Sequence, residues 1–159
     1  MLHILLPFLF FTHQPTAASI ESFVIIDAPA QKVWAVLENL EDYDQWNTFT
    51  PKIESDKIVG NDVILHVAWK VGQEPMLQTE QLMTWAPGEK LEWGIQDRGF
   101  LKTVRIQTVE DLGDGTSKYY TRDDFWGVGT GFVMLFYKKK VQAGFDRVGA
   151  DLKRYVEGK

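Results

Sequence analysis

The middle of the sequence alternates strand-like segments with turn signals, and this rhythm constrains the fold more than any other feature. Six segments rich in β-branched and aromatic residues follow one another at intervals of roughly 10 to 15 residues, which is typical of an antiparallel meander. They lie at residues 52–59, 63–71, 76–85, 90–95, 101–110 and 117–126. Turns such as Gly60-Asn61-Asp62 and Ala86-Pro87-Gly88-Glu89 separate them. The spacing predicts six strands that pair with their sequence neighbours.

A strand and two short helices are predicted before the meander. The apolar stretch at residues 22–26 is typical of a strand, and Asp27-Ala28-Pro29 ends it. Residues 30–37 then place their apolar side chains on one helical face, and residues 40–46 form a second short helical turn. The order of elements is therefore strand, two short helices, then meander.

The periodicity becomes helical after the glycine-rich segment at residues 127–131. Met134, Val141, Val148 and Tyr155 are spaced by seven, which predicts one long amphipathic helix. At 1.5 Å per residue, a helix of roughly 25 residues reaches nearly 40 Å, enough to cross a whole sheet. The predicted class is α+β, with a curved antiparallel sheet of about seven strands wrapped around the C-terminal helix.

The first residues form a separate segment. Residues 2–11 are almost entirely apolar, and residues 12–19 are small and polar, which is typical of a signal peptide with its cleavage region. We therefore expect residues 1–18 to be a signal peptide or leader and residues 19–159 to form one ligand-binding domain. An upstream mis-start or an extra packed segment is the alternative. The leader would make the protein exported or periplasmic, and without it a cytoplasmic location is expected.

Composition excludes several classes of function. The net charge of -5 repels phosphate backbones, and basic residues form no stripe interleaved with aromatics, so nucleic-acid binding is not expected. The absence of cysteine removes thiolate nucleophiles and zinc-thiolate sites. His66 is the only histidine in the body of the domain, which excludes a two-histidine metal site there. We expect neither a metal nor a cofactor.

Three motifs carry a resemblance to a known family. The sequence reads DAPAQKVW at residues 27–34, YDQWNTF at 43–49 and PGEKLEW at 87–93. Together with the order of elements from about Ser19 onward, these segments resemble the polyketide cyclase/dehydrase family of the START-like (SRPBCC) superfamily. One departure is Thr48, which replaces the proline of the family's W-N-P-F segment and puts the shape of this loop in doubt.

The resemblance implies a helix-grip fold with an internal cavity. Similar proteins bind lipids, sterols, polyketides or plant hydrophobic compounds, and a minority catalyse aromatisation, cyclisation or hydrolysis. We therefore expect binding or carriage of a hydrophobic small molecule. An aromatase/cyclase or hydrolase-type enzyme is one alternative, and a protein-interaction module is another.

Candidate site residues follow from the alternation of the last two strands. Matching to the family's polar-rich strand implies that Tyr119, Thr121, Asp123 and Phe125 face inward, and Arg105 lies on the preceding strand. If Arg105 and Asp123 both face the cavity, they anchor a carboxylate or phenol, or transfer a proton with Tyr119. The alternative is a cross-strand ion pair on the solvent side. Arg105, Asp123 and Tyr119 are thus the catalytic candidates.

Aromatic side chains supply the remaining candidates for the cavity wall, although a plain core role is equally compatible with each. The predicted ligand-binding residues are Trp46, Trp69, Trp93, Arg105, Tyr119, Thr121, Asp123, Phe125 and Met134. His66 alternates with less apolar neighbours and is expected to face outward. The strand at residues 76–85 has no clearly apolar face and is left unassigned.

The start of the predicted long helix is apolar all round and runs into Lys138-Lys139-Lys140. Residues 132–140 are therefore predicted to make transient contact with a membrane surface, with the lysines meeting anionic head groups. The alternative is a buried helix start followed by a solvated turn.

Overall fold

The computed structural model describes residues 18–96 and 99–158, arranged as one sheet and four helical segments. The strands are β1 (Ala18–Ile26), β2 (Lys52–Glu54), β3 (Asp62–Val67), β4 (Met76–Ala86), β5 (Lys90–Gly94), β6 (Lys102–Asp111) and β7 (Ser117–Trp126). The helices are α1 (Ala30–Leu37), a 3₁₀ helix (Leu40–Gln45), α2 (Thr130–Phe136) and α3 (Lys138–Glu157). Residues 1–17 of the predicted leader lie outside the described residues, and Ala18 is the first residue of β1, so the leader stays a prediction.

The seven strands form one antiparallel sheet in the order β1-β7-β6-β5-β4-β3-β2. Strands β2 to β7 pair with their sequence neighbours, as the meander predicts, and β1 pairs with β7 along its whole length, from Ala18 opposite Phe125 to Ile26 opposite Ser117. The sheet is curved, and the C-terminal helix lies against it. The predicted α+β helix-grip fold is confirmed.

Helix α3 buries one stripe of its surface in the core. Phe145, Val148 and Leu152 recur at intervals of three and four residues and are almost fully buried, as are Val33 and Leu37 of α1. Residues at this spacing share one face of a helix, so a single amphipathic pattern explains why α3 lies on the sheet. Among the described residues, no helix is both long and apolar enough to cross a membrane.

The predicted helix of about 25 residues is broken at Tyr137, so that α2 and α3 are separate. The backbone φ of Tyr137 is -119°, outside the helical range, and its ring centroid lies 6.2 Å from Trp69 and 5.9 Å from Phe132. Tyr137 thus packs against a ring of the loop after β3 and a ring of α2 at the point where the two helices are separated. Periodicity alone missed the break because the apolar spacing of seven continues through it.

Two predicted strands are shorter than the sequence suggested. After β2, the side chains of Ser55 and Asp56 accept hydrogen bonds from the backbone N–H groups of Lys57 and Ile58, at 3.1 and 2.9 Å. Such local bonds compete with strand pairing and end the strand. After β3, the N–H of Ala68 donates to the carbonyl of Phe49 instead of to a strand partner.

Candidate functional site

The concave face of the sheet and the two C-terminal helices enclose a cavity of about 310 Å³. Most of its wall is apolar. The strands and the loop after β3 contribute Leu65, Val67, Trp69 and Phe125. Helices α2 and α3 contribute Val133, Val141 and Phe145, and Tyr137 stands between them. This volume is at the lower end of the range of small-molecule sites.

The loop between the 3₁₀ helix and β2 supplies one end of the wall, and side chains fix its shape. The side-chain oxygen of Asn47 accepts the backbone N–H groups of Phe49, at 3.1 Å, and Thr50, at 2.7 Å. Both the N–H and the hydroxyl of Thr48 donate to the buried carboxylate of Asp151 on α3, at 2.9 and 2.6 Å. The departure at Thr48 therefore leaves the loop tied to α3 by an N–H that proline lacks.

Three ionisable side chains from three strands face the cavity. Arg105 of β6 lies opposite Asp123 of β7 in the sheet register, and Glu80 of β4 joins them in the lining. On β4, Gln78, Glu80 and Leu82 share one parity, so the buried Leu82 places Glu80 on the inner face. The alternation of the strands thus brings two acids and one guanidinium to one cavity.

Two contacts with neighbouring side chains hold Arg105 in place. Its Nε donates to the hydroxyl of Thr121 at 3.2 Å, and its Cζ lies 4.5 Å from the ring centroid of Phe145. Thr121 is fully buried, so its hydroxyl has little freedom to turn away. The hydrogen bond and the cation–π contact together orient the guanidinium.

Burial changes the protonation of both carboxyl groups. Glu80 is 8% exposed, and burial raises its pKa to about 7, against the opposing effects of the Gln78 hydrogen bond and the Arg105 charge. The pKa of Asp123 is also raised well above its ordinary value, chiefly by burial and then by the charge of Glu80. Within the part of the chain that the structure describes, Oδ1 of Asp123 has no hydrogen-bond partner.

This arrangement has a definite chemical capacity. Two interacting carboxyls with raised pKa values titrate as a pair and retain a proton near neutral pH, beside a guanidinium that stays charged. Such a group both donates and accepts hydrogen bonds within a cavity whose wall is mostly apolar. It can hold the polar end of a ligand or move a proton to or from it.

Four of the predicted ligand-binding residues line the cavity, namely Trp69, Arg105, Asp123 and Phe125. Because Arg105 and Asp123 face the interior, the alternative of a solvent-side pair between them does not describe this structure. On the outer face of β7, the ion pair is instead Arg122 with Asp124, at 2.6 Å. Contact of the four with a bound molecule stays a prediction.

The other five predicted ligand-binding residues are not part of the lining, and each packs elsewhere. Trp46 contacts the ring of Tyr43, with 4.7 Å between centroids, and Trp93 is buried within the hydrophobic core. Met134 packs on the core from α2. The remaining two are buried behind the lining, where Tyr119 donates its hydroxyl to Gln107 at 2.8 Å and Thr121 contacts Arg105.

Sequence reasoning missed Glu80, although a signal for it existed. Leu82 of β4 is apolar, and Gln78 and Glu80 lie on the same face of the strand as Leu82. Leu77, which is exposed, lies on the opposite face. Phe49, Tyr137 and Phe145 were also missed, because only the folded arrangement brings a loop and two helices to the same cavity. His66 faces outward as expected, with Nε2 2.6 Å from the carboxylate of Glu54.

Comparisons with known proteins agree with this architecture. The model of the family described as polyketide cyclase/dehydrase and lipid transport matches residues 17–157. No curated protein sequence shows a significant match to the chain.

Solved structures share the fold at low sequence identity. A hypothetical protein from Helicobacter pylori is 14% identical with a TM-score of 0.69, and the match covers 98% of this chain and 97% of that one. A START superfamily protein from Mycobacterium smegmatis is 17% identical with a TM-score of 0.65, covering 88% and 97%. The Zhui aromatase/cyclase from a Streptomyces species is 19% identical with a TM-score of 0.61, covering 87% and 95%. Given the family match over nearly the whole length, the chain belongs to the polyketide cyclase/dehydrase and lipid transport family.

Proposed function

We propose that this chain binds a hydrophobic small molecule in the cavity, with the polar end of the ligand at Arg105, Asp123 and Glu80. The observation that carries the proposal is an open volume of about 310 Å³ with a mostly apolar wall, lined also by Asp123, whose Oδ1 has no hydrogen-bond partner among the described residues. Protein cores are close-packed, and empty space of this size is uncommon in them. Membership in a family described by cyclase, dehydrase and lipid transport functions supports the same proposal.

Burial of apolar ligand surface alone supplies enough free energy for binding, without any catalysed reaction. Burying about 400 Å² of apolar ligand surface yields roughly 10 kcal/mol before the costs of association. Those costs are at least about 4 kcal/mol, which leaves about 6 kcal/mol at most, an affinity on the order of tens of micromolar or weaker. Binding and carriage therefore need only the apolar wall and a partner for the polar end.

Native mass spectrometry with a panel of lipids, sterols and aromatic compounds tests this function, with quenching of tryptophan fluorescence as a second measurement. We expect saturable binding to the wild type and loss of binding in Val141→Trp, which places a large ring in the cavity. Leu135→Trp is the matched control, since it adds the same ring on the exposed side of α2. Absence of any bound species in the wild type, or unchanged binding in Val141→Trp, would refute the proposal.

A cyclase or hydrolase activity is the second candidate, and the cluster of Arg105, Asp123 and Glu80 favours it. Arg105 polarises a carbonyl, and the carboxyl pair transfers the proton. Tyr119 does not reach the cavity in the described structure, because its hydroxyl is engaged with Gln107. Turnover of a polyketide-like substrate should disappear in the double variant Asp123→Asn, Arg105→Met, and turnover that persists there would remove this candidate.

A protein-interaction role would be favoured by a cavity already filled with side chains, which is not the arrangement described.

Contact with an anionic membrane is the partner that the surface supports best. Leu135 is 75% exposed and Phe136 is 59% exposed on α2, beside exposed lysines at the start of α3. The same helix lines the cavity through Val133, so the apolar surface lies next to the bound molecule. Apolar side chains and lysines in this arrangement suit a bilayer with acidic head groups.

Vesicle flotation tests the membrane contact. We expect the wild type to bind vesicles that contain phosphatidylglycerol more strongly than neutral phosphatidylcholine vesicles, and Phe136→Glu to abolish the binding. Phe23→Glu is the matched control, because Phe23 is 64% exposed on the edge strand β1 and lies outside residues 132–140. Equal loss in both variants, or no binding by the wild type, would contradict the contact.

A further inference from the structure

The charged groups of the cavity can balance one another without a ligand. Among the described lining residues, the cation is Arg105, and the acids are Glu80 and Asp123. Arg105 is 7% exposed, and a buried guanidinium needs a carboxylate nearby, so at least one of the two acids is ionised. If both acids were ionised, one negative charge would remain uncompensated in a mostly apolar cavity. The set is therefore closest to neutral when the two acids share one proton.

The same set offers both donors and acceptors to a ligand. The hydrogen bond from Arg105 to Thr121 uses Nε, and no hydrogen bond to a described residue uses the two terminal nitrogens of Arg105. Oδ1 of Asp123 is buried without a partner among the described residues, and so is the hydroxyl of Thr50, which both donates and accepts. All three of Arg105, Asp123 and Thr50 line the cavity. A ligand group that only accepts, or only donates, leaves part of this set unmatched, which costs free energy in a buried site.

The sheet register places a donor and an acceptor side by side. Arg105 of β6 lies directly opposite Asp123 of β7. Side chains in this relation point to the same face, with Cβ atoms about 5 Å apart. A planar group with an oxygen and an N–H on one carbon atom fits between them, with the oxygen on the guanidinium and the N–H on the carboxylate. The fit holds for either position of the shared proton, since a protonated Asp123 donates to the ligand oxygen instead.

We propose that the ligand is a neutral amphiphile whose polar end is an amide-like group, with its oxygen on Arg105 and its N–H on Asp123. This proposal rests on the proposed binding function and names the class of polar end. A carboxylate has no donor for Asp123, and an ammonium has no acceptor for Arg105. Each would also add a charge to a cavity whose own charges already balance, and the desolvation of that charge would weaken binding.

A series of compounds with the same nonyl tail separates the contributions of the polar end. Decanamide and methyl nonyl ketone have nearly the same shape, but the ketone has a methyl group in place of the amide nitrogen and no donor. Decanoate and decylamine carry the two charges. Tryptophan-fluorescence titration at about pH 7 should show decanamide binding at least about threefold more tightly than the ketone, although the ketone is more apolar. Decanamide should also bind at least about tenfold more tightly than either ion.

The variant Asp123→Leu removes the acceptor and leaves Glu80 as the counter-ion of Arg105. It should lower the affinity for decanamide by about tenfold relative to that for methyl nonyl ketone, so that the ketone becomes the tighter ligand. Asp146→Leu is the matched control, because Asp146 is exposed on α3, where it accepts a hydrogen bond from Ser22 at 2.6 Å. This control should keep the wild-type order of affinities.

Each outcome of these titrations supports or overturns the proposal. If methyl nonyl ketone, decanoate or decylamine binds the wild type as tightly as decanamide or more tightly, the proposal is overturned. An unchanged order of affinities in Asp123→Leu also overturns it, and if this variant does not fold, the wild-type series still decides. Binding without preference among the compounds, lost in Val141→Trp, overturns only the amide-like end and leaves the proposed binding function standing. If none of the compounds binds, that function fails as well.

Discussion

Replacing Glu80 by glutamine should change the pH dependence of folding stability even without a ligand. A glutamate in the unfolded chain ionises near pH 4.5, whereas the buried side chain has a pKa of about 7. The folded state therefore binds more protons than the unfolded state between these values. The contribution of Glu80 to the unfolding free energy is therefore fully present below about pH 4.5 and is lost as the pH rises through about 7.

The size of the effect follows from the two pKa values. A difference of about 2.5 units at 1.36 kcal/mol per unit corresponds to about 3 kcal/mol of unfolding free energy lost between acidic and alkaline solution. Glutamine has nearly the same shape and does not ionise, so Glu80→Gln removes this loss. At about pH 8 the variant should be more stable than the wild type by up to about 3 kcal/mol, and at about pH 4.5 the two should differ little.

Urea unfolding followed by tryptophan fluorescence measures the effect at several pH values. The informative quantity is the difference between wild type and variant at each pH, because carboxyls that do not interact with Glu80 then cancel, while the coupled titration of Asp123 stays part of the difference. Glu92→Gln places the same substitution outside the cavity and is the matched control at each pH. A constant difference between wild type and Glu80→Gln across this range would refute a raised pKa at Glu80 and, with it, the shared proton in the cavity.

Other predictions concern the backbone around the site. Gly94→Ala should cost several kcal/mol or prevent folding, because the added Cβ would lie 2.0 Å from the carbonyl oxygen of Thr103; thermal unfolding should show it. Gly131→Ala should leave stability unchanged or raise it by up to about 1 kcal/mol in the same assay, since nothing lies within 4 Å of the added atom. Thr48→Pro should cost about 2 kcal/mol by removing both donors to Asp151, and equal stability in urea would contradict this role of the loop.

The fold was predictable because its signals are local and repeated. The turn spacing predicts the meander, and the alternation along β7 places Tyr119 and Asp123 on the same face. The alternation of side chains along a strand predicts which residues face inward, but it does not predict which of them line the cavity. That distinction depends on where α1, α2 and α3 cover the sheet, and it separates the buried Tyr119 from the cavity-lining Asp123.

The site was less predictable for two physical reasons. At the break between α2 and α3, Tyr137 packs against Trp69, which is distant in sequence, and the periodicity of the helix continues through this point without a sign of it. On β4, the mixture of polar and apolar residues on both faces hides Glu80, and a register shift between Leu82 and Thr84 weakens the alternation further. The packing of Tyr137 is a long-range contact that no local pattern shows. The inward direction of Glu80 is obscured by the irregular pairing of β4.

The cavity is built from two parts of the molecule, the sheet and the C-terminal helices. Its ionisable groups come from the strands β4, β6 and β7, while Val133 and Val141 belong to the helices that cover it. A substitution at Val133 or Val141 therefore changes the cavity wall on the helices and leaves the charged groups on the strands in place. Substitutions on α2 should alter association and dissociation rates together, and substitutions on the strands should alter the ratio of affinities between ligands. Residence time and selectivity are thus separately adjustable in this fold.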